Sequence, residues 1–472
     1  MDDEPTRSRL SRRRVLSVLG AASVAGCVGS EADQRATPTD RSTPPTQTTS
    51  ERATTATPTA TPVTAQYDLG VGHDIEAWDA YEPSWRAPTD AAPVDSLKTE
   101  VLVENLEIPW DLSFAPDGTL FITERVGRVR TFDGDSTSVL FETEASIDAE
   151  SVDPGGSHDS WWIEGGEGGT LGIAAHPNYP EVPLVYVYYT TTADGKHNRV
   201  VAFDVTAEDP SVGSTVIVDD IPADAVHNGG RLTFGPENYL WVTCGDAGTA
   251  EKAQDPGTLH GTVLRVTATG EPAPGNPFVD GGGDSRVFTY GHRNPQGVVF
   301  LPDGTPLATE HGPDGRDECN RLEAGANYGW PHTRNREAYL DAPDVHRPLA
   351  NSGEPSWAPT GALFYTGDAV PGLMNRLLVG GLWSQQLLVA TVTPPDGALP
   401  PVGEGTRYDH AWTDDAYTVT TQPALQDELG RIRHVEQGPD GALYAITSNR
   451  DGRATEPFPR EGDDVLVRLT EA

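Results

Sequence analysis

The chain of 472 residues contains 50 glycines and 40 prolines but only 2 methionines, a composition that favours short strands joined by turns over helices. Its formal net charge of −38 repels phosphates and anionic surfaces, so nucleic acid and membrane headgroups are disfavoured as partners. Acidic residues spread along the whole sequence indicate a surface kept hydrated in high salt, as in a halophilic protein.

Residues 1–27 have the features of an export signal. Paired arginines follow Ser11 in SRRRVL, as in a twin-arginine signal, and the next apolar run is too short to cross a bilayer of ~30 Å. The run ends in VAGC at Cys27, which resembles a lipobox. We therefore expect an exported lipoprotein, anchored through Cys27 at the extracellular face of the cell membrane; a Sec-type signal cleaved nearby is the alternative.

Three further regions follow the signal. Residues 28–64 are rich in Thr, Pro and Ser and are predicted to be a disordered tether, because this composition cannot form a core. Residues 65–97 contain Trp78 and Trp85 among several prolines, and we expect an irregular segment that docks on the main domain. Residues 98–472 are the predicted main domain.

The main domain repeats one pattern, in which an apolar strand end, a Pro-Asp-Gly type of turn and an alternating strand form a hairpin. Examples are FAPDGTLFITE, FLPDGTPLATEHG and QGPDGALYAIT. The turn prolines of five copies lie about 60 to 70 residues apart, with one double gap that holds a looser copy, GALFYTGDAVPGLMNRLLVGGLW. These prolines are Pro116, Pro177, Pro236, Pro302 and Pro439. Six such units predict an all-β fold, a six-bladed β-propeller of four-stranded antiparallel sheets; stacked sandwiches would not explain the period.

A propeller brings loops from every blade together at one end of its channel, so distant polar motifs can form one site. His227 and Asp246 flank the hairpin at Pro236 and are predicted neighbours, as a base and the carboxylate that orients it; a structural histidine is the alternative. Arg293 and Asn294 precede a proline and offer donors for an oxyanion, or merely form a polar turn.

Two other clusters suggest ligands. Arg431 and Arg433 lie two apart on a strand and therefore face the same side, which suits an anionic ligand, although surface ion pairs would look the same. The Gly312-Pro313 carbonyls, and a second oxygen cluster that includes Glu318 and Tyr328, suit a hard cation, although acids in this chain are mostly solvated.

Two cysteines, Cys244 and Cys319, lie in the main domain. We expect two separate buried thiols, with a disulfide as the alternative.

The sequence from about Lys98 to Leu469 resembles the quinoprotein soluble sugar dehydrogenases, closest to their aldose sugar dehydrogenase branch and similar to the soluble glucose dehydrogenases. The resemblance is carried by motifs that occur in the family's order, among them IPWDLSFAPDGTLFITERVGRV, HNGGRLTFGP, YGHRNPQGVVF, TEHGPDGRDECNRLEAGANYGWP and GRIRHVEQGPDGALY. It implies a six-bladed propeller that uses pyrroloquinoline quinone and calcium.

The resemblance also implies residue roles. His227 would take the C1 hydroxyl proton of an aldose while hydride passes to the quinone, with Asp246 orienting it and Arg293 stabilising the charge on the quinone oxygen. Calcium would bind the carbonyls of Gly312 and Pro313, and a structural calcium would bind Glu318 and the Tyr328 carbonyl. The positions that match cofactor-binding residues are Glu167, Gln254, Arg293, Asn294, Trp383, Arg431 and Arg433.

Three features depart from the family. Trp383 stands where the family has a lysine for a quinone carboxylate, and Glu354 replaces an aromatic residue near the substrate. The HDSWW loop, from His158 to Trp162, is additional. We expect an exported sugar dehydrogenase that converts aldoses to lactones and passes electrons to an external acceptor. A non-catalytic propeller that binds carbohydrate or protein, and a calcium-dependent lactonase, are the alternatives.

Overall fold

The computed structural model describes residues 61–144 and 166–471, which belong to one compact unit, Thr59–Ala472. The signal, most of the tether and the HDSWW loop lie outside the described residues. Six antiparallel sheets follow one another along the chain, so the predicted all-β, six-bladed propeller is confirmed. The described residues contain a single α-helix, α1, at Arg336–Asp341.

Each blade is built mainly from consecutive strands. The strands of the first three blades are β2 Pro109–Phe114, β3 Leu120–Glu124, β4 Arg128–Phe132, β5 Thr137–Glu142, β6 Thr170–Ala175, β7 Leu184–Thr191, β8 His197–Asp204, β9 Thr215–Pro222, β10 Leu232–Phe234, β11 Leu240–Cys244, β12 Thr262–Val266 and β13 Val287–Tyr290. Those of the last three are β14 Pro295–Phe300, β15 Pro306–Glu310, β16 Glu318–Arg321, β17 Ala350–Asn351, β18 Pro359–Tyr365, β19 Arg376–Gly381, β20 Gln386–Thr393, β21 Thr406–Tyr408, β22 Thr418–Ala424, β23 Ile432–Gln437, β24 Leu443–Thr447 and β25 Leu466–Glu471.

The ring is closed by strand β1, Leu97–Val103, which pairs antiparallel with β25. The sixth blade therefore combines both ends of the domain, in the order β1-β25-β24-β23. The fifth blade differs from the prediction because it has five strands: the short β21 pairs along the outer edge of β22. The other five sheets are four-stranded, as predicted.

The predicted hairpin period is confirmed. In every blade the repeated turn joins the first strand to the second, so that Pro116 connects β2 to β3 and Pro439 connects β23 to β24. Strands in the middle of a blade are covered on both faces by neighbouring blades, which is why β7 is buried at all of its positions instead of alternating. The blade order thus follows directly from the repeat.

Residues 61–97 lie against the propeller. The Val63 amide donates to the Gly213 carbonyl, and the Val63 side chain is buried. Trp85 is buried edge-on against Phe364, with ring centroids 5.2 Å apart. Short 3-10 turns form at Val63–Ala65, Ile75–Ala77 and Val94–Ser96.

The innermost strands β2, β6, β10, β14, β18 and β23 surround a channel. We call the end at which these strands begin the cavity end, and the end at which the repeated turns lie the turn end. Cys244 and Cys319 are buried and unpaired, as expected, and burial raises the pKa of each thiol to about 12. Among the described residues, no helix is both long and apolar enough to span a bilayer.

Candidate active site

A narrow cavity lies at the cavity end of the channel, with about 330 Å³ of empty space that includes a part open to solvent. Its wall includes Trp110, Gln296 and Leu382, and it is otherwise dominated by charged or titratable side chains. These are Arg125, Glu167, His311, Arg431, Arg433, Asp451 and Arg453. Guanidinium groups from separate blades thus converge on one space, as the propeller arrangement predicts.

His227 and Asp246 form the predicted pair beside this cavity. The Nδ1 atom of His227 lies 2.7 Å from Oδ1 of Asp246, which is almost fully buried. The other oxygen, Oδ2, accepts a hydrogen bond from Trp330 Nε1 at 2.7 Å, and Oδ1 accepts a second one from the Gly248 amide. The carboxylate therefore keeps the proton of the imidazole on Nδ1 and leaves Nε2 as the nitrogen able to accept one.

The backbone around this pair requires small residues. His227 adopts a left-handed φ of 57°, which is uncommon for a residue with a side chain and marks a constrained site. A Cβ added at Gly245 would overlap the His227 carbonyl, so a glycine there lets the two segments touch. The antiparallel pairing of β10 with β11 then returns Asp246 to the level of His227.

Glu167 connects the histidine to the cavity. Its Oε2 accepts from the backbone amide of His227 at 2.7 Å, and its Oε1 lies 3.1 Å from Arg453 Nη1. Because Glu167 also lines the cavity, the predicted cofactor position and the predicted base are joined by one side chain.

Arg293 and Asn294 enter the site from the start of β14. Arg293 Nη1 donates to the His311 carbonyl at 3.3 Å, and its amide donates to Glu310 Oε1 at 2.6 Å. The Asn294 side-chain oxygen accepts from the Gly229 amide at 3.0 Å. Both residues therefore connect the His227 loop with the segment after β15.

Arg431 and Arg433 lie side by side in the cavity wall, as the strand spacing predicts. Both contact Asp451 Oδ2, Arg431 through Nη2 at 2.5 Å and Arg433 through Nη2 at 3.5 Å. Burial lowers the pKa of Arg433 to about 10, with the positive charges of Arg431 and Arg231 opposing the Asp451 carboxylate. Burial, followed by the charge of Arg433, likewise lowers the pKa of Arg125 to about 9. Both arginines stay charged at neutral pH, in surroundings short of negative charge.

Several buried polar atoms around the cavity lack a hydrogen-bond partner. They are Arg293 Nε, Asn294 Nδ2, His311 Nε2 and Arg433 Nε. The pKa of His311 is also far below its usual value, because of burial and then the charges of Arg293 and Arg433. Buried donors normally have partners, so this set fits an anionic ligand with several acceptor oxygens.

Two predicted cofactor residues lie farther out. Gln254 exchanges hydrogen bonds with the Asn327 side chain and donates to the Trp330 carbonyl at 2.6 Å, so in this arrangement it supports Trp330. Trp383 is 65% exposed and lines an adjoining hollow together with Arg431 and Arg453. A charge at position 383 would therefore lie at the rim of the site.

The first predicted calcium pair borders the cavity through His311. The Gly312 amide donates to Asp317 Oδ1 at 2.8 Å, which holds the loop, and the Pro313 carbonyl accepts from Arg316 Nη1 at 3.3 Å. The Pro313 carbonyl is thus already contacted by a guanidinium, and a calcium at this pair stays a prediction.

The second predicted calcium pair does not fit a metal as arranged. Arg334 Nη1 donates to Glu318 Oε2 at 2.6 Å and to the Tyr328 carbonyl at 3.4 Å. The other Glu318 oxygen accepts from Tyr339 Oη and Asn351 Nδ2. A guanidinium thus contacts both oxygens that were predicted to ligate calcium.

Sequence reasoning missed several residues of the site, chiefly Arg125, His311, Asp451 and Arg453 in the cavity wall and Trp330 and Glu310 behind it. A signal for them was present in the repeat. Arg125 directly follows β3, Asp246 follows β11 by two residues, and His311 directly follows β15. The residues after the second strand of each blade therefore point to the cavity end.

This combination defines a propeller with a cationic ligand cavity and a histidine–carboxylate pair at one end of its channel. The sequence profile of the family described as Glucose / Sorbosone dehydrogenase matches residues 106–456. The chain therefore belongs to the Glucose / Sorbosone dehydrogenase family, and the predicted resemblance is confirmed.

Individual relatives agree with this assignment. The chain is 29% identical to aldose sugar dehydrogenase YliI of Escherichia coli (strain K12) over 393 residues, covering 80% of this chain and 95% of that protein. It is 29% identical to quinoprotein glucose dehydrogenase B of Acinetobacter calcoaceticus over 269 residues, covering 51% and 54%. The structure of the PQQ-bound form of aldose sugar dehydrogenase from Streptomyces coelicolor is 30% identical, with a TM-score of 0.61, and covers 80% of this chain and 99% of that one.

Proposed function

We propose that this protein is an exported, calcium-dependent quinoprotein that oxidises aldose sugars at C1 to lactones and passes the electrons to an external acceptor. The observation that carries the proposal is the His227–Asp246 pair beside a cavity walled by guanidiniums. Family membership and the names of the relatives support the same chemistry.

The cavity suits pyrroloquinoline quinone, a planar molecule with several carboxylates. Arg431 and Arg433 offer paired donors for carboxylates, and Arg293 Nε and Asn294 Nδ2 are buried donors without a partner that an acceptor oxygen of the ligand could satisfy. Trp110 contributes apolar surface to the cavity wall beside the Arg433 guanidinium, which lies 6.0 Å from its ring centre. When bound, the quinone would supply a two-electron acceptor for the hydride from C1 of the sugar.

The protein's own groups would perform the acid–base part of the reaction. His227 Nε2 takes the proton of the C1 hydroxyl, and Asp246 stabilises the imidazolium that results. The Trp330 and Gly248 donors hold the carboxylate in place during this transfer. Arg293 lies within 5.4 Å of the Trp330 ring centre and provides positive charge where negative charge develops.

The remaining parts of the proposal rest on the sequence. Calcium at the Gly312 and Pro313 carbonyls would supply a second positive charge beside the ligand. The signal in residues 1–27 supports export, and Cys27 supports a lipid anchor. We specify the external electron acceptor only by its chemistry: it is an oxidant that can take two electrons.

The proposal is tested by reconstituting the purified chain with pyrroloquinoline quinone and calcium in high salt and following dye reduction with glucose and other aldoses. Quinone binding together with sugar-dependent dye reduction is expected. If the chain neither binds quinone nor reduces the dye, the result would favour a propeller that only binds its ligand. Hydrolysis of lactones without quinone would favour the lactonase.

A further inference from the structure

The guanidinium of Arg334 lies in a nest of oxygen atoms deep in the fourth blade. The Arg334 side chain is 5% exposed, and Glu310 and Glu318, on either side, are each 1% exposed. Besides both carboxylates, the guanidinium contacts the Tyr328 carbonyl and the Tyr339 hydroxyl, each at 3.4 Å. Two carboxylates, a carbonyl and a hydroxyl are the oxygen donors that calcium prefers, but here they surround an arginine.

The carboxylates in this nest have no position left for a metal. Glu318 receives Tyr339 Oη at 2.7 Å and Asn351 Nδ2 at 3.0 Å on one oxygen and Arg334 on the other. Glu310 receives Arg334 and the Arg293 amide on Oε1 and His292 Nδ1 on Oε2. A calcium would need six to eight oxygens at about 2.3–2.6 Å, which the fixed fork of the guanidinium prevents.

The same arginine is connected to the candidate active site by two routes. Through Glu310 it reaches the backbone amide of Arg293. Its guanidinium carbon also lies 5.5 Å from the ring centre of Trp330, whose Nε1 donates to Asp246. A change in the position of Arg334 would therefore affect both the His227–Asp246 pair and Arg293.

We propose that Arg334 is a built-in cation that replaces a structural calcium at Glu318 and Tyr328, and that it acts as a positioning residue for Arg293 and Asp246. The first half rests on geometry alone. The second half rests on the proposed dehydrogenase function.

The first half is tested by counting the calcium ions bound to the full-length chain, without sugar or quinone, by equilibrium dialysis. Glu318→Gln in the otherwise native chain should leave the number of bound ions unchanged. Loss of one ion would show that a metal uses Glu318 and would overturn the proposal.

Arg334→Ala leaves two buried carboxylates without their cation, so its melting temperature should fall by roughly 4–6 °C. In added calcium the Arg334→Ala variant should bind one more calcium ion than the native chain and regain part of the lost melting temperature. The double variant Arg334→Ala/Glu318→Gln should show neither the additional ion nor the recovery. Arg336→Ala is the matched control, because it removes an exposed arginine two residues away. A native melting temperature and ion count in Arg334→Ala would overturn the proposal; if that variant does not fold, the Glu318→Gln count still decides.

The positioning half is tested with Arg334→Lys, which keeps the charge but cannot reach both carboxylates with one planar fork. We expect kcat of dye reduction to fall about tenfold while KM for the sugar changes less than twofold, since Arg334 does not line the cavity. An unchanged kcat would overturn this role. Absence of turnover in the native chain would instead count against the proposed function and leave the calcium count intact.

Discussion

The two ends of the propeller channel differ in the size of their empty space and in the residues that line it. The turn end holds the larger space, about 1080 Å³, whose lining includes Asp111, Arg231, His434 and Glu436. The space at the cavity end, about 330 Å³ by the same measure, is smaller but lies beside the His227–Asp246 pair and the converging arginines. The larger of the two spaces is therefore not the one at which we propose the active site.

The two ends also differ in their charged groups: carboxyl groups outnumber arginines at the turn end, and arginines outnumber carboxyl groups at the cavity end. At the turn end Arg231 is bound to Asp111, and His434 stays neutral because burial lowers its pKa far below the usual value. Burial raises the pKa of Asp111 to about 6 and, together with the Asp111 charge, that of Glu436 to about 8. Burial lowers the pKa of Arg231 at the turn end as well as the pKa values of Arg125 and Arg433 at the cavity end. The difference is that arginines outnumber carboxylates in the lining of the cavity end, which favours an anionic ligand there.

Trp110 lies between the two ends. The guanidinium of Arg231 is 4.3 Å from its ring centre and that of Arg433 is 6.0 Å away. One aromatic ring thus separates Arg231, which is paired with a buried carboxylate, from Arg433, which we propose binds the ligand, and variants of the two can be compared directly.

The largest effect is expected at the cavity end from His227→Ala. Without its proton acceptor, kcat for dye reduction should fall about 10²- to 10⁴-fold, while quinone affinity should change little. Steady-state kinetics and a quinone titration check this. His73→Ala, which removes an exposed histidine, is the control, and near-native turnover in His227→Ala would contradict the assigned base.

At the turn end, Arg231→Met should lower the free energy of unfolding by about 3–5 kcal/mol, because Asp111 is left buried without its partner. Denaturant unfolding in constant high salt measures this. Replacing Asp111 by Leu at the same time should recover much of the loss. Equal destabilisation in the single and double variants would contradict the pairing.

Arg433→Met should have the opposite profile. Loss of a charge-assisted contact should weaken quinone binding by about ten- to a hundredfold, with less loss of stability than in Arg231→Met, because like charges nearby are also relieved. Calorimetric titration with quinone compares the two variants. The distinction between the channel ends fails if Arg231→Met weakens quinone binding as much as Arg433→Met.

Glu436→Gln should change the pH dependence of stability. The folded-state pKa of Glu436 is about 8, above its value of 4.5 in an unfolded chain, so its contribution is complete below about pH 4.5 and is lost as the pH rises through 8. The glutamine variant cannot ionise and should lose less stability between pH 5 and 8 than the native chain. Urea unfolding at several pH values measures the slopes, with the exposed Glu271→Gln as control; parallel curves would contradict the shift.

The smallest effect is expected from Trp383→Lys at the rim. An exposed cation beside Arg431 and Arg453 should tighten quinone binding about two- to fivefold, since screened surface charges contribute little. Trp383→Phe controls for the loss of the indole. Weaker binding in Trp383→Lys would indicate that the tryptophan itself contacts the ligand.

The repeat alone predicted the fold, because each Pro-Asp-Gly turn marks the first hairpin of a blade. The same register correctly placed His227 against Asp246 and Arg431 beside Arg433. Arg334 could not be predicted in this way, because it comes from a loop of irregular structure, and only packing shows that it lies between Glu310 and Glu318. The extra strand β21 was missed for a similar reason, since three residues after a long loop carry no periodic pattern.

Pairing of β1 with β25 has a consequence for synthesis. Five blades can assemble as the chain leaves the ribosome, but the sixth waits for the last strand to be made, after which the first strand joins across nearly the whole domain. Until that seam forms, the open ring exposes unpaired strand edges. Truncation from the C-terminal side should therefore produce aggregation rather than a smaller working propeller.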